Sequence, residues 1–216
     1  MEAPTLDDIR KGCEAFAAHE PRDAMYRTAT FLLCHFWGKP REVADGLGVL
    51  LLTWNQAFYR YGSFDFGDLE NCIQESFALL EGFRRRDIST YDMSDDLAVR
   101  TLFDKFLEAL QVRHGRSGKP KRSPVAVAKA LHLLAPAFFP VWDNAIARAY
   151  ACDYSSGPAA AYTRFMGEIK PLVTALLSRD VPDRTGKTAL KMIDEYNYSR
   201  FTKGWISQTP KGQSYA

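Results

Sequence analysis

The sequence predicts an all-α fold. Apolar residues recur three and four apart through almost the whole chain, and no run of strand length alternates apolar with polar residues. The breaks between periodic stretches carry helix-start and helix-stop residues, so the elements can be delimited in order.

Thr5, followed by Asp7 and Asp8, starts a first helix to about His19, because a hydroxyl and early carboxylates satisfy the open N–H groups of a first turn. Pro21 sits where a first-turn proline is tolerated and opens a second helix to about Trp37. Pro40 opens a long helix containing "REVADGLGVLLLTWNQAFYRYG", which Gly62 ends and whose Leu and Val content predicts a central position. Residues 67–84 and 94–113 show amphipathic spacing, the second segment starting at Ser94 with two acids behind it. Ser123 and Pro124 read as N-cap and first residue of "PVAVAKALHLLA", and Pro136 and Pro140 bracket a connector to Asp143. Helices over 143–151, 158–179 and 187–203 complete the chain, which has no internal repeat and no long linker.

With 216 residues, 46% hydrophobic and 25% charged, the chain can bury one good core or two small lobes. No apolar run approaches the ~20 residues of a membrane span, and "MEAPTLDDIRKG" is too polar for a secretory signal, so no membrane association and a cytoplasmic location are expected. Cys13, Cys34, Cys72 and Cys152 are scattered, and His19, His35, His114 and His132 lack ligand spacing, so neither a metal nor another cofactor is expected. The net charge of +2 is unevenly spread: "RHGRSGKPKR" (113–122) holds five Lys/Arg and a His with no acid, and no acid follows Glu195. Such segments form either a localised anion-binding face or a solvated loop and tail.

The basic loop, the helix of small and apolar residues and the Pro-containing connector lead into Phe139-Pro140-Val141-Trp142-Asp143-Asn144-Ala145-Ile146-Ala147-Arg148. This run fits the pattern F-P-[IV]-x-D-x-x-[IV]-x-R, and the order of parts resembles the helix-hairpin-helix base-excision DNA glycosylase superfamily. Upstream, "LLLTWNQAFYR" places Trp54, Asn55 and Gln56 where that family carries a polar amide group on an apolar helix. The likeness covers most of residues 40–150. Two features depart from it. The family's glycine hairpin is replaced by "SGKPKRSPVAVAKA", in which Gly118 alone serves a turn and Lys119, Lys121 and Arg122 supply charge. Where strand-cutting members carry a Schiff-base lysine, eighteen residues before the Asp, stands Val125; Lys129 and Lys121 are nearby but poorly placed.

The resemblance implies a single two-lobed glycosylase-like domain, with lobes of about 40–113 and of 1–39 plus 114–216 and the active-site cleft between them. It implies a monomeric, monofunctional DNA glycosylase acting on double-stranded DNA, with Asp143 catalytic. Trp54, Asn55, Gln56 and Tyr59 would bind the base or enter the duplex, and Lys119, Lys121, Arg122 and Ser123 would bind DNA phosphates. The excised base would be an oxidised purine such as 8-oxoguanine, for repair, or a hypermodified phage base such as glucosylated hydroxymethylcytosine, for anti-phage defence. A non-catalytic nucleic-acid-binding module with the same fold is the alternative.

The residue types suit this chemistry. Breaking an N-glycosidic bond leaves positive charge on the deoxyribose, which a fixed carboxylate stabilises most in the transition state, and a helix N-terminus favours the anion. An Asp at that place also simply caps a helix. Base chemistry in a duplex requires the nucleotide to be extruded and the gap filled. The competing reading of Trp54, Phe58 and Tyr61 is a core stripe at helical spacing, although the Asn55-Gln56 pair inside it needs partners. The aromatic and basic segment "IDEYNYSRFTKGW" (193–205), with Asp194, Tyr196, Asn197 and Tyr198, either closes the site or packs its rings inward.

Overall fold

The computed structural model describes residues 3–113, 119–155, 157–178 and 187–206. Among the described residues there are ten α-helices, besides two 3-10 turns and one π-helical turn: α1 (Leu6–His19), α2 (Ala24–His35), α3 (Pro40–Trp54), α4 (Gln56–Tyr59), α5 (Phe66–Arg84), α6 (Asp96–Ala109), α7 (Pro124–Leu134), α8 (Asn144–Ala149), α9 (Pro158–Leu177) and α10 (Ala189–Asn197). Among the described residues the one extended pairing is an isolated antiparallel bridge between Val112 and Lys121, so the all-α expectation holds. Residues 114–118, including Gly118, lie outside the described residues.

Side-chain caps set half of the helix starts. At α1 the Asp8 N–H donates to Thr5 Oγ1 (3.2 Å) while the Thr5 N–H donates to Asp8 Oδ2 (2.9 Å), a reciprocal arrangement that satisfies two open donors. Asp65, Ser123, Asp143 and Thr188 cap α5, α7, α8 and α10 through side-chain oxygens that accept first-turn N–H groups. Ser94 lies inside a 3-10 turn, Met93–Asp95, capped by Asp92, and the α-helix follows from Asp96.

The second helix starts at Ala24 rather than Pro21, because Asp23 adopts left-handed backbone angles (φ 39°, ψ 43°) that interrupt the helical path. The third stops at Trp54 rather than at Tyr61. Asn55 leaves the helical region (φ −117°, ψ 33°), and the chain then makes only the single turn of α4.

Helix α7 is the most fully buried element, and α3, packed on α2, α5 and α7, is central as its Leu and Val content predicts. Ala126, Val127, Ala128, Ala130, Leu131, His132, Leu133 and Leu134 are all buried, whereas α3 leaves Val49 and Thr53 exposed. The three alanines of α7 let neighbouring helices come close on several sides. Around it α2 and α5 pack on α3, α6 packs on α5 and α9, and α1 packs on α10, sharing one continuous apolar core. Contact between α1 and α10 depends on Gly12, since a Cβ there would lie 2.7 Å from the Tyr196 Cα. After Asn197 the chain widens into a π-helical turn, Tyr198–Thr202, anchored where the Ser199 hydroxyl donates to the Gly12 carbonyl (2.9 Å). Among the described residues no helix is long and apolar enough to cross a membrane.

Candidate active site

The connector that delivers Asp143 is held at consecutive points. His132, fully buried on α7, binds the Phe139 carbonyl through Nδ1 (2.7 Å); burial lowers its pKa, so the neutral ring donates. The Tyr162 hydroxyl, from α9, donates to the Pro140 carbonyl (2.7 Å), and Trp142 Nε1 donates to the Pro124 carbonyl (3.2 Å). These bonds fix the backbone before Asp143, and the rings of Trp142, Tyr162 and Phe165 pack around it.

Asp143 does cap α8. Its Oδ1 accepts the Ala145 and Ile146 N–H groups (2.8 and 2.9 Å), and its Oδ2 accepts the Thr202 hydroxyl of the π-helical turn (2.6 Å). Three donors thus converge on one half-buried carboxylate. Beyond them opens a cavity of about 530 Å³ that Asp143 shares with Trp54, Lys129, Phe16, Tyr26, Tyr198, Asp23, Asp194 and Lys191.

Two lysines reach this cavity in different electrostatic settings. Lys191 is almost completely buried, with Nζ 3.3 Å from Asp23 Oδ2, 3.4 Å from Asp194 Oδ2 and 3.7 Å from Glu195 Oε1. Burial alone would lower its pKa, but Asp194, Asp23 and Glu195 outweigh burial and raise it, so it stays an ammonium. Its charge also lies over the rings of Tyr26 (4.4 Å) and Phe16 (4.6 Å). The left-handed Asp23 is therefore a strained residue at the cavity, its carboxylate turned to Lys191 instead of capping α2.

Lys129 makes no ion pair among the described residues. Its Nζ donates to the Trp54 carbonyl (3.0 Å), one of the open carbonyls at the end of α3, and lies 4.9 Å from the Trp54 ring. Burial pushes its pKa down to about 8, with Asp143 and Asp194 pulling weakly the other way.

Of the sequence-predicted residues, Asp143 and Trp54 come together in the cavity. Asn55 lies at the break after α3, its side-chain amide donating to Ser123 Oγ (3.3 Å), and Gln56 is exposed beside it. Tyr59 does not join them: it is 7% exposed and its hydroxyl donates to the Leu110 carbonyl (3.0 Å), because the break at Asn55 rotates α4 so that this ring enters the core. Ser123 is buried too, its hydroxyl consumed by the cap of α7 and by Asn55, which leaves it no place on a phosphate. Arg122 is exposed but paired with Glu108 and Gln111, while Lys119 and Lys121 are exposed. In the C-terminal segment both alternatives occur: Tyr196 and Asn197 are buried, whereas Asp194 and Tyr198 line the cavity.

The sequence did not single out Thr202, Asp23, Tyr26 or Lys191, whose roles arise from long-range packing. Lys129 carried a signal, since it lies four residues beyond Val125 and therefore on the same face of α7. Comparison with family models, with curated proteins and with solved structures returns no match for this chain.

Proposed function

We propose that the protein is a two-lobed DNA N-glycosylase that extrudes a damaged or modified base and hydrolyses its glycosidic bond. The observation that carries this reading is the Asp143 carboxylate, fixed by Ala145, Ile146 and Thr202 at the wall of a cavity of about 530 Å³. That volume lies within the range of small-molecule sites and exceeds what an unmodified base requires, which suits a purine or a base bearing a substituent.

In this reading Asp143 faces the deoxyribose. As the base departs, positive charge grows at C1′, and a carboxylate already oriented by three donors stabilises it without reorganising. The same carboxylate orients the water that adds to C1′. The extruded base stacks on Tyr26, Phe16 or Tyr198, and the carboxylates of Asp23 and Asp194 accept hydrogen bonds from its edge or substituent. Lys191, by bridging these two carboxylates, positions them. Asn55 and Gln56, at the break after α3, occupy the gap left in the duplex, and Lys119 and Lys121 contact phosphates.

The test is to incubate duplex DNA carrying a panel of modified bases, oxidised purines and glucosylated hydroxymethylcytosine included, and then treat it with alkali. Breaks at the modified position that vanish in Asp143→Asn support the proposal. Salt-sensitive binding with no breaks on any substrate would instead identify a non-catalytic nucleic-acid-binding module.

A further inference from the structure

We infer that the turn after α10 carries a second nucleotide subsite, a stacking platform for an unpaired base next to the extruded one, so that the protein engages single-stranded or locally melted DNA in preference to intact duplex. This rests on the glycosylase reading for what fills the cavity, but it departs from the double-stranded partner that the sequence predicts.

The rings form a track that starts in the cavity and leaves it. Tyr198 and Phe16 both line the cavity, with ring centroids 6.0 Å apart. Trp205 stands edge-on to Tyr198 (5.7 Å), and the exposed ring of His19 lies flat against Trp205 (4.1 Å, 6° between planes). Backbone bonds hold this platform: the Lys203 N–H donates to the Tyr198 carbonyl (2.9 Å) and the Trp205 N–H to the Ser199 carbonyl (2.8 Å), while the Ser199 hydroxyl is anchored on Gly12. Gly204 supplies a positive φ (65°) that turns the chain back towards the last turn of α1, where His19 Nδ1 is fixed on the Ala15 carbonyl (2.9 Å). Thr202, in the same stretch, donates to Asp143, so platform and carboxylate belong to one construction.

Core packing does not account for this arrangement. Trp205 is only half-buried and His19 is exposed, so aromatic surface is left in solvent. Arg200 turns onto Tyr196, but Lys203 is exposed and makes no ion pair among the described residues, and its ammonium lies 5.4 Å from the Tyr198 ring and 5.9 Å from the Trp205 ring. Arg22 shares the cavity wall with Glu20, which leaves Lys203 as the cation for one phosphate. Rings with a cation beside them suit an unpaired nucleotide, whose base offers a π face and whose phosphate offers a charge. A base inside a duplex has both faces covered by its neighbours and stacks on a protein ring only after leaving the helix. The cavity takes one such base; the rings outside it gain an occupant only when the adjacent base is unpaired as well.

The probe is a labelled oligonucleotide of about twelve nucleotides containing 5-iodouracil, which ultraviolet light joins to an aromatic ring stacked on it, with the corresponding duplex as control. The expected result is a crosslink that peptide mapping places on Trp205 or His19 with the single strand and not with the duplex. Trp205→Leu, which keeps an apolar side chain against α1, should weaken single-strand binding about tenfold and leave duplex binding unchanged. Lys203→Gln should reduce the slope of log affinity against log salt on the single strand by about 0.7. Crosslinks confined to residues other than Trp205 and His19, a duplex bound as tightly as the single strand, or unchanged single-strand affinity in Trp205→Leu overturns the inference. Mapping on the unaltered protein decides the matter even if the variant folds poorly. Release of a modified base without a crosslink on the platform leaves the glycosylase reading standing and removes the subsite from it. A crosslink on the platform without release of any base, from single strand or duplex, does the reverse.

Discussion

Replacing Lys129 by methionine should make the protein more stable at neutral pH and remove a pH dependence. The folded-state pKa of Lys129, about 8, lies below the ordinary 10.5, so the unfolded chain holds this proton more tightly. Below pH 8 the side chain is protonated in both states and the folded state bears the full desolvation cost. Stability therefore rises as pH climbs from about 8 towards 10.5. The size of the shift corresponds to about 3 kcal/mol, which solvent on the cleft side reduces to about 2. The lost hydrogen bond to Trp54 and the lost ring contact take back about 1 kcal/mol, leaving Lys129→Met about 1 kcal/mol more stable at pH 7. By pH 9.5 that advantage should fall to near zero. Urea unfolding of both proteins at pH 7 and pH 9.5 measures the difference directly, provided the denaturant slopes match. A gap between the two proteins that is the same at both pH values would refute the argument, because the amine would then carry no burial penalty.

Lys191 should behave in the opposite way: Lys191→Met strands Asp23 and Asp194 at the cavity, leaving Glu195 to Lys187, and should cost about 3 kcal/mol by the same unfolding measurement. Asp143→Asn keeps an oxygen for the α8 cap and should shift stability by less than about 1 kcal/mol while lowering base release about a hundredfold or more, whereas Asp143→Ala should also lose about 1 kcal/mol of stability. Thr202→Val removes the donor to Asp143 Oδ2, so single-turnover base release should slow by about tenfold with the melting temperature nearly unchanged. Tyr59→Phe should cost about 1 kcal/mol through its bond to the Leu110 carbonyl and leave DNA affinity alone. Replacing Lys119 and Lys121 together by Ala should reduce the slope of log affinity against log salt by about 2.

The helices were legible wherever local chemistry decides them. Thr5 with Asp8, Ser123 with Pro124, and Asp143 each signal a start that depends only on neighbouring residues. The errors fall where tertiary contacts override local preference. Asn55 reads as one more residue of an apolar helix, yet its amide is drawn to Ser123 and the preceding carbonyl to Lys129, and the helix ends there. Tyr59 was misplaced as a consequence, since its direction depends on that break. Asp143 could be singled out because a short pattern surrounds it. The cavity opposite could not, because Asp23, Lys129 and the stretch that carries Lys191 and Thr202 are three separate segments whose meeting depends on how α1, α7 and α10 pack.

The carbonyls of Phe139 and Pro140 are gripped by His132 and Tyr162, which belong to two different helices. The aim of the Asp143 side chain is thereby tied to the mutual spacing of α7 and α9, buried elements that never touch the cleft's contents at those residues. A conservative change in their shared interior, such as one methylene too many, could tilt the carboxylate while the molecule still melts cooperatively. Damage of that kind would go unseen in a folding assay and surface only as slowed turnover.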